Sequence, residues 1–407
     1  MTGTPMVMAG LNMEGRDPHG AGRAGRYVQQ PTGYRAFLPA PLPPDPPLRL
    51  ESLQGLLAEA SHALGRLDGS VLTLPDPDLF VLMYVRKEAV LSSQIEGTQS
   101  SLQDLLEAEA RLLSPTRPAD VGEVINYVHA MNYGLERLAA LPVSVRLIRE
   151  IHERLLKGVR GHRLTPGELR RTQNWIGPGG CTLNEAVFVP PPPDAVPEAL
   201  SDLERFLHEK DDLPVLVKVG LAHAQFETIH PFLDGNGRVG RLLITFLLCE
   251  RGLLHKPALY LSHYFKRHRQ EYYDRLQAVR DTGDWEGWLT FFLRGISEVS
   301  AQAADTSRRI LEIRERQRQH ITESFGRAAG NGLKVLEHLF RAPIISVKKV
   351  QTITRTEFPA ANQLVQRLVH LGVLKEITGR ARNRQFRFEE YVRLFAEDTE
   401  RSLEQEK

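Results

Sequence analysis

The sequence predicts a mainly helical protein with one short surface hairpin and a small basic unit near its C-terminal end. Three observations carry that prediction. Apolar residues recur at three- and four-residue spacing through most of the chain, strand-type stretches are confined to 174–193 and to the C-terminal segment, and basic residues concentrate between 330 and 392. The 407 residues are 42% apolar and 25% charged, a globular composition with chain enough for more than one core.

Each element has its own signal. Residues 1–34 hold seven glycines and little apolar pattern, and read as a disordered tail. Six of the ten residues 39–48 are proline, which favours an extended stretch laid on the surface of the folded region after it. Helices are expected over 53–67, over 78–95 with Gly97 as its stop, and from Ser101 to 113, where Asp104 completes a capping box. Beyond Pro115 and Pro118 the helical spacing resumes over 121–141, 144–159, 196–209, 213–229 and 237–251. Between them, a Gly-Pro-Gly-Gly turn at 177–180, the β-type run Ala186-Val187-Phe188-Val189 and prolines at 190–193 predict a hairpin placed like a flap. Helices over 268–280 and 285–318 lead to the basic segment. That segment reads as helices over 333–340, 346–354 and 359–371 followed by a hairpin over 374–388, the order of a winged helix. The expected organisation is a tail at 1–34, an N-terminal helical region at 35–115, a core at 116–300, a linker helix at 301–325 and a winged-helix domain at 326–398.

Charge and composition exclude several classes of function. No apolar run approaches the roughly 20 residues that cross a bilayer as a helix, so no membrane partner is expected. Two cysteines, Cys181 and Cys249, make neither a disulfide framework nor a zinc site. Glu14 and Asp17 interrupt the N-terminal stretch, which reads as neither a signal nor a transit peptide, and the expected compartment is the cytoplasm. The chain is nearly neutral at +2, yet residues 330–392 hold eleven Lys/Arg against five Asp/Glu. That segment is +6 and the remainder −4.

The informative stretch joins the helices expected over 213–229 and 237–251 and reads Ile-His-Pro-Phe-Leu-Asp-Gly-Asn-Gly-Arg-Val-Gly-Arg-Leu from Ile229 to Leu242. Gly235 and Gly237 let the backbone adopt positive φ and approach a ligand closely, and the helix that starts there offers free N–H groups and a dipole to an anion. Arg238 and Arg241 lie three residues apart on that helix, and two guanidinium forks beside such a nest suit a polyphosphate. Asp234 adds an oxygen ligand for a hard cation, most simply Mg²⁺. His230 can take a proton from an incoming hydroxyl near neutral pH, and in-line attack on phosphorus is the chemistry this set suits.

This stretch, from His230 to Arg241, resembles the full signature of the Fic-domain family. The resemblance implies a helical Fic fold that transfers AMP from ATP to a hydroxyl of a Ser, Thr or Tyr on a protein target or on itself. In that reading His230 is the general base, Asp234 the Mg²⁺ ligand, and Gly235, Asn236 and Gly237 the anion hole, with Arg238 and Arg241 on the triphosphate. Residues 177–193 look like the family's flap, and Thr182, Leu183, Asn184, Glu185, Ala186 and Val187 would offer a strand edge to the target's backbone. A homodimer is a further implication.

Ser92-Ser93-Gln94-Ile95-Glu96-Gly97 closes the helix expected over 78–95, with Ser92 and Glu96 four apart on one face. By itself it is a helix end with a Gly cap. Within this family it resembles the inhibitory motif, in which Glu96 pairs with Arg241 and removes the grip on the γ-phosphate. The same carboxylate can instead orient a water that removes AMP from a modified target, so AMP removal is a competing activity. A third reading is a DNA-binding regulator with a nucleotide-sensing core. Asn362, Gln363, Gln366 and Arg367 on the third helix of 326–398, and Arg380, Arg382 and Arg384 in the wing, are the residues suited to DNA. The same fold also serves protein contacts.

Overall fold

A computed structural model describes residues 22–74, 76–112, 118–178 and 180–396. Fifteen helices and five short strands make up these residues. In chain order they are β1 Gly25–Gln29, β2 Arg35–Pro39, α1 Gln54–Leu72, α2 Pro77–Ile95, α3 Leu102–Glu109, α4 Val121–Arg137, α5 Val145–Leu155, α6 Val196–His208, α7 Val215–Ile229 and α8 Asn236–Glu250. They continue with α9 Ser262–Arg267, α10 Arg269–Thr282, α11 Trp285–Phe325, α12 Ala329–Arg341, β3 Ile344–Ser346, α13 Val347–Thr354, α14 Phe358–His370, β4 Lys375–Glu376, β5 Gln385–Arg387 and α15 Glu389–Ala396.

At the centre stands the antiparallel pair α7–α8. Every residue of α7 from Leu216 to Ile229 is buried, the polar Lys218, His223, Gln225, Glu227 and Thr228 included. Helices α6, α10 and α11 pack against α7, while α2, α4 and α5 pack against α8. The turn between α7 and α8, residues 230–235, carries the motif and packs on the end of α5 through Phe232. Helix α2 runs across the molecule. Its Tyr84 hydroxyl meets the Ala303 carbonyl (3.0 Å) and Ser307 Oγ (2.9 Å) of α11, and its last turn reaches α8.

Some expectations are corrected. Residues 25–39, which span the end of the expected tail, form a β1–β2 hairpin in register Tyr27↔Phe37. Tertiary contacts hold it: Phe37 is buried against Tyr27 and Phe188, and Arg23 forms an ion pair with Glu286 of α11 at 2.7 Å. Glycine content hides such contacts because they come from residues far away in sequence. The part of the expected tail at 1–21 lies outside the described residues. The flap has no ladder either. Its strand-like pairing is a single bridge, Ile176↔Phe188, and Leu183–Glu185 form a 3₁₀ turn capped by Thr182. Prolines at 190–193 lack the N–H groups a second strand would need. The expected linker helix at 301–325 is the continuation of α11, which runs 41 residues without a break.

The C-terminal unit has the order α12, β3, α13, α14, β4, β5, with a three-stranded antiparallel sheet ordered β3-β5-β4. Strand β3 and helix α15 extend what the sequence pattern predicts. Its core of Val335, Leu339, Phe340, Val365, Leu368, Phe386, Phe388 and Tyr391 is buried, and it rests on α2 through α12 and α15.

Candidate active site

The motif turn begins with a residue in a costly conformation. His230 has φ 48° and ψ 60°, the left-handed region that a side chain with a Cβ rarely adopts. Its surroundings hold it there. The Arg170 side chain donates from Nε to the His230 carbonyl (2.9 Å), the Arg170 amide donates to the Pro231 carbonyl (2.9 Å), and Asn174 Nδ2 donates to the Phe232 carbonyl (2.8 Å). With the ring proton on Nδ1, facing the Glu227 carbonyl at 3.4 Å, Nε2 is the nitrogen with a free lone pair. Burial pushes the imidazole down to about 4, and the Arg280 and Arg170 guanidiniums push it the same way. His230 is thus a neutral base at pH 7.

The turn then tightens into the anion nest. Asn236 clips it shut: its Oδ1 accepts from the Phe232 amide (2.9 Å) and its Nδ2 donates to the Phe232 carbonyl (2.8 Å). The buried Asn236 side chain therefore builds the loop, and only its backbone N–H is left to the nest. Gly235 caps α8 at φ 80°, and its amide donates to Asp234 Oδ1 at 2.6 Å. The first-turn N–H groups of α8 come next, without intrahelical acceptors.

Glu96 occupies the rim of this nest. A Cβ on Gly237 would collide with Glu96 Oε1, so only glycine lets the carboxylate settle on the first turn of α8. Glu96 Oε1 accepts from Arg241 Nη2 at 2.6 Å, while Arg241 Nε donates to Ser92 Oγ (2.9 Å) and Nη2 to the Ser92 carbonyl (3.0 Å). Burial alone would raise the Glu96 carboxyl, but Arg241, with help from Arg238 and His230, holds it below its ordinary value. Gly97 comes directly after at φ 94°, which ends the helix and turns Glu96 inward.

Not every expected residue points at the nest. Arg238 is fully buried, and its Nη1 donates to Glu123 Oε2 of α4 at 2.8 Å. Its Nη2 lies 3.6 Å from Asp234 Oδ1, and Nε and Nη2 have no hydrogen-bond acceptor among the described residues. Of the flap residues 182–187, Thr182 and Glu185 bond to each other, and no side-chain bond from these six to the motif turn is present among the described residues. Glu185 caps Thr182, accepting from its amide and hydroxyl at 2.9 Å, and Val187 is 52% exposed. Sequence reasoning missed Glu123, His152, Glu227 and Arg280. They sit on four different helices, and of them only Glu227, three residues before His230 on α7, lies near the motif in sequence.

Residues 54–136 match the Fic/DOC family N-terminal domain and residues 142–248 match the Fic/DOC family domain. The chain thus carries an N-terminal domain and a core domain of the Fic/DOC family between residues 54 and 248. It is 32% identical over 208 residues to a probable protein adenylyltransferase of Aquifex aeolicus, covering 50% of this chain and 57% of that one. It is 31% identical over 225 residues to a protein adenylyltransferase Fic of Aedes aegypti, covering 52% of this chain and 39% of that one. The chain thus spans little more than half, or less, of the length of these relatives. A crystal structure of a Fic family protein from Desulfovibrio desulfuricans G20 superposes with a TM-score of 0.56 at 21% identity, over 83% of this chain and 95% of the other. That likeness supports the fold. No described helix is long and apolar enough to cross a membrane.

Proposed function

We propose that this protein transfers AMP from ATP to a protein hydroxyl and that Glu96 holds it in check. One observation carries the reading: a neutral imidazole and a helix N-terminus flank one turn, and a carboxylate sits on that N-terminus, paired with Arg241. An internal anion lies where a phosphate would be bound.

In the reaction, His230 Nε2 takes the proton of the target hydroxyl as its oxygen bonds to the α-phosphorus. The bond from that phosphorus to the bridging oxygen breaks, and pyrophosphate leaves with the electron pair. The α8 amides and the freed Arg241 hold the phosphate oxygens, and the unpartnered donors of Arg238 lie beneath the same turn. Asp234 suits Mg²⁺. Asp234 is the carboxylate that would hold such an ion at this turn, where Mg²⁺ commonly keeps waters and phosphate oxygens as its other ligands. When bound, such an ion neutralises phosphate charge.

The test is ATP labelled on the α-phosphate, incubated with Mg²⁺ and lysate. Glu96→Gly should label protein at least tenfold more than wild type, and adding His230→Ala should abolish it. Label unaffected by His230→Ala rejects the base, and equal label with and without Glu96 rejects the brake. Loss of AMP from a modified protein, with no gain, assigns removal instead. In the Glu96→Gly variant the rate should stay flat from pH 8 down to 6, because a base near 4 remains unprotonated, whereas one near 6.5 would titrate.

For the C-terminal unit we infer a winged helix on the basis of its element and strand order, with DNA as the partner to test. The candidate surface is narrower than the sequence suggests. Arg367 donates to the Ser324 carbonyl (2.7 Å) and covers Phe325, and Asn362 accepts from Arg384 (3.0 Å), which leaves Gln363, Gln366, Arg380 and Arg382 exposed.

A further inference from the structure

We propose that His152 of α5 is the positioning residue of the anion turn: its Nε2–H bond to the Asp234 carbonyl sets the direction of the Gly235 turn and of the α8 amides. Three contacts place it. His152 is completely buried directly under the turn, with its ring stacked on Phe232 at 3.7 Å and an interplanar angle of 7°. Its Nε2 lies 3.0 Å from the Asp234 carbonyl oxygen. Its Cδ2 lies 3.6 Å from the position a Cβ would take on Gly235, so the left-handed residue packs on the same ring.

The direction of the bond is not free to change. The Gly167 amide points at His152 Nδ1 at 2.8 Å, and an N–H can only donate. Nδ1 is therefore the acceptor, the ring proton is on Nε2, and Nε2 donates to Asp234. An outer hydrogen bond that fixes the tautomer of an inner one is a common way to orient a site from behind. The donor of that outer bond is held in turn. Gly167 has φ 82°, and its carbonyl accepts from Arg149 Nε at 2.7 Å. At Gly161 an added Cβ would lie 2.6 Å from Asp234 Oδ2, so only glycine there leaves the carboxylate its room. The loop at 158–167 thus holds the Asp234 carbonyl through Gly167 and His152.

One consequence is specific. A peptide carbonyl held on one side fixes the plane of the Asp234–Gly235 peptide, and hence the direction of the N–H groups beyond it. Without the Nε2 donor the plane can rotate and the nest loses its aim, while α7, α8 and their packing stay intact.

Two substitutions separate this role from packing. His152→Gln keeps a donor near Nε2, and His152→Asn keeps an acceptor near Nδ1 but cannot reach Asp234. Both remove the ring and its stack. In the Glu96→Gly protein, ATP affinity by calorimetry should fall at least tenfold for His152→Asn and less than threefold for His152→Gln, with similar melting temperatures for the two. Equal losses in both, or losses that track melting temperature, would overturn the proposal in favour of packing. The ATP readout rests on the proposed AMP transfer, so a second readout stands apart from it. Amide exchange in peptides covering 232–238 should be at least tenfold faster in His152→Asn than in His152→Gln, with the middle of α8 unchanged. If the parent protein binds no ATP, the AMP-transfer reading fails, and exchange alone decides on His152; equal exchange in the two variants rejects it.

Discussion

The motif turn and the C-terminal unit both draw on arginine, and they treat it in opposite ways. Around the turn, Arg170, Arg238, Arg241 and Arg280 are all buried, each against a carboxylate, a carbonyl or an aromatic ring. In the C-terminal unit Lys348, Lys349, Arg380 and Arg382 stand in solvent. A buried guanidinium must be paired and held, so its position carries geometric information. An exposed one contributes a field that salt screens and that tolerates movement. The contrast separates a place built for chemistry from a surface suited only to attraction.

The sharpest way to break this contrast is to remove one buried partner. Glu123→Ala leaves Arg238 inside the protein without its 2.8 Å counter-ion and with only Asp234, 3.6 Å away, as a remaining anion, and breaking a buried pair costs about 3–5 kcal/mol. The expected result is a large drop in melting temperature, with ATP affinity reduced as well because Arg238 is the floor of the turn. A drop no larger than that of an ordinary surface substitution would mean that Arg238 finds water or another acceptor.

Glu227 sharpens the contrast from the acidic side. It is buried near Arg241 and Arg280, its Oε1 has no hydrogen-bond partner among the described residues, and burial pushes its carboxyl up to about 7. The unfolded chain loses this proton near 4.5 and the fold keeps it to about 7. Its contribution to stability is therefore complete below 4.5 and lost as pH rises through 7. Glu227→Gln has no charge to bury. The stability of the variant relative to wild type should rise by up to about 3 kcal/mol between pH 4.5 and 7.5, read as melting temperatures of both proteins across that range. A difference that does not change with pH would place the Glu227 carboxyl at its ordinary value.

How much of this is legible in the sequence follows the same division. The helices and the motif turn are readable because periodicity and the residues of one short stretch are local. By their spacing Ser92 to Gly97 read only as a helix end, and the inhibitory reading comes from the family resemblance; in the structure Glu96 and Arg241, 145 residues apart, form a 2.6 Å pair. The support of the turn is not readable. His152 lies in the apolar stripe of α5, where a histidine looks like packing, and Glu123 looks like a first-turn acid at the start of α4. Their roles exist only once α4, α5 and α8 are side by side. The β1–β2 hairpin is hidden for the same reason, since its order comes from Glu286 and Phe188 and not from its own glycines. In the C-terminal unit the distant contact works the other way: Arg367 on α14 has the sequence of a groove-facing residue, yet it lies against the end of α11 and donates to the Ser324 carbonyl.

A smaller effect tests whether the two regions are joined. Tyr84 presents a fully buried hydroxyl to α11, from the helix that Glu96 directly follows, and the Phe395 ring meets it edge-on at 5.3 Å from α15. Tyr84→Phe keeps the ring and loses the hydrogen bonds, for about 1 kcal/mol of stability. If α2 acts as one rigid bar, loosening it at Tyr84 should also loosen Glu96, and protein labelling should rise a few-fold, well below the rise in Glu96→Gly. Loss of stability without any change in labelling would show that α2 yields between Tyr84 and Ser92.

The smallest effect on stability belongs to the exposed arginines, and that is what makes it informative. Arg380 and Arg382 stand in solvent, so replacing both with Ala should move the melting temperature by no more than an ordinary surface change, within about 0.5 kcal/mol. The pair instead sets long-range attraction. If the unit binds duplex DNA, the double variant of the full chain should bind less tightly in a shift assay, and its affinity should depend less steeply on salt, because each lost phosphate contact removes about one unit from that slope. Unchanged binding and an unchanged slope would move the contact to Lys348 and Lys349 on α13. No binding by the parent even at low salt, where phosphate attraction is strongest, would leave the basic face as a protein-contact surface and confine the chemistry of this molecule to its buried arginines.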